Sequence, residues 1–263
     1  MTDDYTKLIL SDDPIELGSM LFTLVEPHKG HEVAYNRWYE RDHIYAGCLI
    51  GPWNFAAKRW VATRDLKTLP FPDDSPIAPS KDVGSFLAMY WILKGHHDEW
   101  TRWGRRQVKV LIDADRMFEH RDHVHTQMYR YEWGLNRDED GVPAELALDH
   151  PWKGLVVVWA EADDRDATLS SYRSDVVPSQ LAGSGAALCL CFTPIPMPSG
   201  QPSGVQESSG DEGRFLRMYF LDREPDVVMR ETFASIAEPA RVEFVSAFHP
   251  TVPGTDTYTD QLW

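Results

Sequence analysis

The sequence predicts an α+β protein, and three observations carry that prediction. Apolar strand-like runs alternate with segments of helical spacing, the order strand, helix, strand, loop, strand, helix, strand occurs twice, and a long proline-rich loop stands at the same place in each copy. Two successive βαββαβ units, residues 1–140 and 141–263, imply antiparallel sheets packed face to face, with helices covering the outer surfaces.

The first unit opens with a strand at 20–26, Met-Leu-Phe-Thr-Leu-Val-Glu, followed by a helix from His31 to Leu49 that Gly51-Pro52 stops. Trp53 to Thr63 is the second strand. After Pro70, Pro72, Pro76 and Pro79, the chain returns as a strand from Ser85 to Leu93. His96 to Phe118 has helical spacing, and His123 to Trp133 alternates as a strand. In the second unit the strands are Gly154 to Ala160, Ala186 to Phe192, Arg214 to Leu221 and Arg241 to Phe248, with helices at Asp166 to Leu181 and Asp226 to Ala237. Its loop, Pro194 to Gly213, is rich in Pro, Ser and Gly.

At 263 residues with 43% apolar side chains, the chain has the material for a large core. A formal net charge of -15 repels phosphate backbones and anionic bilayers, which excludes nucleic-acid and membrane-surface binding as expectations. The N-terminus lacks the basic and apolar regions of a secretory signal, so a soluble cytoplasmic protein is expected. Cys48, Cys189 and Cys191 form no disulfide framework or CxxC turn and read as inert thiols.

The ionisable side chains concentrate in the first unit, which holds eight of the ten histidines and seven of the ten tryptophans. On its first helix Asn36, Tyr39 and His43 fall on one face at three- and four-residue spacing, offering an amide, a phenol and an imidazole to the space beneath. The same aromatic face would also serve as packing. His96 and His97 stand where the third strand meets the second helix, with His97 the favoured member; Asp98 and Glu99 suit the helix dipole. On the last strand His123 and His125 share a face with Gln127 and Tyr129 under strict alternation. With His43 or His97 they could ligate zinc or iron, but the spacing matches no metal motif, and no metal is expected. Tyr90 and Trp91 are candidates for the wall of an apolar pocket, which would favour a flat or apolar ligand.

The pattern Trp38, Tyr39, His43, with Arg59 near the end of the next strand and the tail Phe248-His249-Pro250-Thr251-Val252-Pro253-Gly254-Thr255-Asp256, resembles the dimeric α+β barrel superfamily. Its EthD-like branch is the nearest in pattern. The resemblance implies two ferredoxin-like units fused in tandem, packed sheet to sheet as an intrachain barrel, each with a cavity between sheet and helices. It also implies an acid-base histidine near His97. The second unit has Ser170-Ser171-Tyr172 in place of the Trp-Tyr-x-x-x-His pattern, so its role is expected to be structural. Since the superfamily includes lyases, isomerases, monooxygenases and haem enzymes, the fold does not name the reaction. The expectation is a cofactor-independent lyase or isomerase of dehydratase or cyclase type acting on an apolar carbonyl or aromatic small molecule. In it His43 or His97 would move a proton while Tyr39, Asn36 or His123 holds the developing oxyanion. A cofactor-free monooxygenase of a phenol and a non-catalytic binding protein are the alternatives; no haem-attachment motif is present, no cofactor is expected, and further homo-oligomerisation stays open.

Overall fold

The computed structural model describes residues 11–69, 72, 75–80, 82–197, 213–233 and 238–263. The first half contributes β1 (Leu17–Pro27), α1 (Glu32–Trp38), β2 (Asn54–Val61), the short α2 (Arg64–Lys67), β3 (Phe86–Leu93), α3 (His97–Asp113) and β4 (Arg121–Asn136). The second contributes β5 (Gly154–Glu161), α4 (Arg165–Ser171), α5 (Val177–Leu181), β6 (Ala186–Ile195), β7 (Arg214–Leu221), α6 (Pro225–Val228) and β8 (Arg241–Pro250). Most of the proline-rich loop of the second half lies outside the described residues, as do Pro70 and the last turn of the helix expected to end at Ala237.

All paired strands run antiparallel and close into one barrel, in the order β1-β3-β2-β8-β5-β7-β6-β4. Each half supplies four consecutive staves in the ferredoxin-like order, β4-β1-β3-β2 and β8-β5-β7-β6. The sheets therefore meet edge to edge at two seams, and their inner faces enclose a shared core. The seams are unequal. β4 pairs with β6 over Met128 to Asn136, whereas β2 and β8 share only Trp60↔Pro250 and Val61↔His249.

Period-two alternation sorts the strand residues between two environments. Met20, Phe22, Leu87, Met89, Trp91, Val157, Trp159 and Phe220 point inward and fill the barrel. On the outer surfaces a core of Tyr35, Tyr39, Phe86, Tyr90 and Trp100 lies under the first-half helices, and a core including Tyr172, Val177 and Phe233 lies under the second-half helices.

Two helices depart from their expected form. α1 continues from Tyr39 to Leu49 as a π-helix, whose wider turns are seen in Ile50 N–H donating to Tyr45 O five residues back at 3.1 Å. α3 stops at Asp113 rather than near Phe118, because Asp115 adopts a left-handed φ of 55° and its N–H closes back on Ile112 O.

At the start of α3, His96 clamps the N-terminal segment. Its Nε2 meets Asp13 Oδ2 at 2.9 Å, its Nδ1 meets Glu99 Oε2 at 2.5 Å, and its ring stacks on Trp53 at 3.8 Å. Burial alone would lower the affinity of this ring for a proton, but the two carboxylates outweigh it and the net shift is upward. A raised folded value means that the clamp stabilises fully below the unfolded value of about 6.5 and weakens as pH rises through the folded one. Proteolysis within residues 11–16, corrected for the protease's own pH dependence, is therefore expected to quicken above neutral pH, and His96→Gln should show the quick cleavage already at pH about 6.

Candidate functional site

Between the outer face of the first-half sheet and its helices lies a cavity of about 140 Å³. β1 contributes Leu21, Thr23 and Val25, and the π-helical stretch contributes His43 and Gly47. Tyr90 on β3, His97 and Gly104 on α3, and Arg121, His123 and Met128 on β4 complete most of the wall. Gly104 is buried, yet a Cβ built there meets no atom within 4 Å, so this helix face is open to the cavity.

The expected residues divide. Tyr39, His43, Tyr90, His97 and His123 line the cavity together. Asn36 does not. Its Oδ1 accepts from Arg59 Nη1 at 2.8 Å and its Nδ2 donates to Thr255 O at 3.0 Å, which ties α1 to β2 and the C-terminal tail. Trp91 points into the barrel, where its Nε1 donates to Ala144 O at 2.9 Å. His125 lies on that side as well, with Nε2 2.8 Å from Tyr129 Oη and its ring edge-on to Phe22 and Trp159. The shared face expected for His123 and His125 is broken by a β-bulge: Leu24 pairs with His125 but Val25 pairs with His123, so Val124 is an extra residue and the alternation reverses there. The two imidazoles thus lie on opposite sides of the sheet. Among the described residues no three His, Cys, Asp or Glu side chains gather as a metal site.

Within the cavity the phenols are committed. Tyr39 Oη and Tyr90 Oη are 2.8 Å apart, and burial pushes both hydroxyls far above the usual phenol range. His43 stacks on Trp38 at 4.3 Å and meets Tyr39 edge-on at 5.1 Å, while its Nδ1 is buried with no hydrogen-bond partner. Burial, reinforced by Arg121, lowers its pKa to about 3. His123 is similar. Its Nδ1 is 2.8 Å from Thr126 Oγ1, which is also 2.9 Å from Thr23 Oγ1, and its buried Nε2 has no partner. Burial, again with Arg121, lowers its pKa to about 4. His97 meets Ser19 Oγ at 3.1 Å and burial lowers it too.

Arg121 is the residue that pattern reading passed over. It stands at the start of β4 among the histidines, its guanidinium lies 5.1 Å over the Trp38 ring, and no carboxylate pairs with it among the described residues. Burial makes its charge costly. The cavity thus offers a half-buried cation without a carboxylate, two unpartnered imidazole nitrogens, His43 Nδ1 and His123 Nε2, and apolar walls, an arrangement that favours a flat apolar molecule carrying negative charge.

No protein-family model matches this chain, and no curated protein matches it either. Solved structures of similar chain path do. Chlorite dismutase from Candidatus Nitrospira defluvii, a mutant, aligns over 98% of this chain and 99% of its own, with 10% identity and a TM-score of 0.48. A DypB variant from Rhodococcus jostii RHA1 in complex with haem aligns over 92% and 95%, with 12% identity and a TM-score of 0.49. An anthrone oxidase-like protein aligns over 91% and 95%, with 8% identity and a TM-score of 0.45.

These neighbours correct the expectations of a cofactor-independent lyase or isomerase and of no cofactor. They carry the names of a dismutase, an oxidase-like protein and a haem complex. The side chains agree with the correction: Tyr39 is locked to Tyr90, Asn36 is spent on Arg59, and His43 is a far weaker base than the expected chemistry needs. Were a haem bound, His123, Arg121 and Arg105 are the residues that would hold it; His123 Nε2 is buried and unpartnered in this structure, and the two arginines border the cavity. No helix among the described residues is long and apolar enough to cross a membrane. The chain is an α+β protein of ferredoxin-like type, its eight antiparallel strands closed into a single barrel.

Proposed function

We propose that the first-half cavity binds a flat, largely apolar anion, either an aromatic acid or haem, and that this half is the working unit while the second is its structural partner. The observation that carries the reading is the pairing of Arg121, without a carboxylate, with the buried unpartnered Nε2 of His123 on one apolar wall. An aromatic carboxylate would take its charge to Arg121 and accept from His123 Nε2–H, with Thr126 Oγ1 donating to Nδ1 and so fixing that tautomer. With Thr126 accepting instead, Nε2 offers a lone pair, the form in which an imidazole ligates haem iron. Bound haem would supply redox chemistry; Arg121 and Arg105 would face its carboxylates.

The reading includes turnover. An anion beside His43 and His123 offsets the repulsion from Arg121 and raises the affinity of both rings for a proton, while burial, the larger cause of their lowering, stays in place. The resemblance to the EthD-like branch belongs to this reading as well. In the second half the matching outer face is filled by the buried ion pair of Arg217 and Glu238, with Tyr172 and Tyr219 packed around the guanidinium.

Titration with 2-naphthoate and, separately, with hemin tests the proposal. Arg121→Gln is expected to weaken 2-naphthoate about tenfold or more, as loss of a charged hydrogen bond of about 1.5–3 kcal/mol would. Gly104→Leu should close the cavity to both probes while leaving a folded protein, because the glycine stands mid-helix facing open space. If hemin is the ligand, its absorbance band shifts on binding and His123→Ala abolishes the shift. The reading is wrong if neither probe binds, or if both bind the Gly104→Leu protein as they do the natural one.

A further inference from the structure

A groove runs past the mouth of the cavity and shares His97, Thr101, Arg105 and Pro196 with it. Its helical wall presents Arg102, Arg105 and Arg106, spaced i, i+3 and i+4 on α3 and therefore on one face. Arg130 on β4 joins them. All four are exposed, and among the described residues none forms an ion pair. Of the groove's carboxylates Glu16 pairs with Lys94 Nζ at 2.6 Å, while Glu145 accepts from Leu17 N–H at 3.1 Å and Glu132 from Thr193 Oγ1 at 2.5 Å, neutral donors that fix these two side chains and leave their charge. Asp98 lies in the first turn of α3, where a negative charge complements the dipole.

Like charges at helical i, i+3 and i+4 spacing repel, at a cost of a few tenths of a kcal/mol per pair. A protein of net charge -15 has ample acidic side chains to neutralise them, yet this face stays basic. The same net charge argues against a nucleic acid as the occupant, and the continuity with the cavity argues for one ligand that reaches both spaces.

We propose that the natural ligand has two parts, an apolar ring system seated in the cavity and a phosphate-bearing polyanionic tail lying along Arg102, Arg105, Arg106 and Arg130. This rests on the cavity reading above and extends it to the class of the whole ligand. Joining two weakly bound parts makes the second contact intramolecular, so the gain in affinity is expected to be large.

Three probes test it at one fixed low ionic strength: 2-naphthoate, an alkyl triphosphate, and a 2-naphthoate joined through a short alkoxy chain to triphosphate. The joined probe is expected to bind at least about a hundredfold more tightly than either part, in line with typical gains from linkage. Arg102→Gln/Arg106→Gln should return it to the affinity of 2-naphthoate alone and leave 2-naphthoate binding unchanged. A joined probe no tighter than its better part, or one equally tight on the double variant, overturns the proposal. Since 2-naphthoate and hemin are titrated on their own, a failed tail is distinguished from a failed cavity.

Discussion

Stability is expected to fall by roughly 3–4 kcal/mol per pH unit around pH 5, and less steeply toward 6.5 and 4, the steepest response to solution conditions that the structure implies. Three imidazoles cause it. Burial lowers the pKa of His43 to about 3 and those of His123 and His125 to about 4. In the unfolded chain each titrates near 6.5, so between these limits the unfolded state binds more protons and acid favours it. The histidine contribution is whole above the unfolded value and is lost as pH drops toward the folded ones. Glu26 opposes them in part, because burial raises its carboxyl and the folded state keeps that proton longer. The net uptake on unfolding near pH 5 is then about two to three protons, which gives the slope above. Urea unfolding midpoints measured across that range check it. A flat profile would show that the rings are hydrated, and His125→Phe should remove about one proton from the slope.

The second large effect belongs to the half without the cavity. Glu238→Gln is expected to cost about 3–5 kcal/mol, because it leaves the Arg217 guanidinium charged and buried. Both side chains are fully buried. Arg217 also donates to Tyr219 Oη at 2.9 Å and lies 4.4 Å from the Tyr172 ring, while Gln180 Nε2 donates to Glu238 Oε1 at 3.1 Å. Replacing both charges together, Arg217→Met with Glu238→Met, should cost far less than the single change, since apolar groups of similar size need no compensation there. Urea unfolding of the single and double variants decides it. A single variant within 1 kcal/mol of the natural protein would mean that water reaches the pair.

Much of this architecture was legible in the sequence because strand alternation is a strong signal. Runs such as Phe86 to Leu93 and Gly154 to Ala160 fall within a residue or so of their expected limits. The cavity itself followed from the resemblance and from the crowding of imidazoles into one half. What escaped notice were places where one residue changes the period. The bulge at Val124 reverses the phase of β4 and removes His125 from the site, and π-helical turns after Tyr39 change which side chains share a face. Neither leaves a mark in composition. Arg121 escaped for another reason: its importance lies in the absence of a nearby carboxylate, which only the folded arrangement reveals.

The unequal seams of the barrel have a mechanical consequence. With only two register pairs joining β2 to β8, the ring resembles a clasp more than a hoop, and the segment after β8 acts as its catch. That segment crosses to α1, where Thr255 O accepts from Asn36, Asp256 pairs with Arg37 at 2.5 Å, and Gly254 N–H donates to Glu40 at 3.0 Å. Unlatching it, for instance by Asp256→Ala with Thr255→Pro, would let the two halves swing apart about the long β4–β6 seam, so amide exchange should quicken first at Trp60, Val61 and His249 while Met128 to Asn136 stay protected.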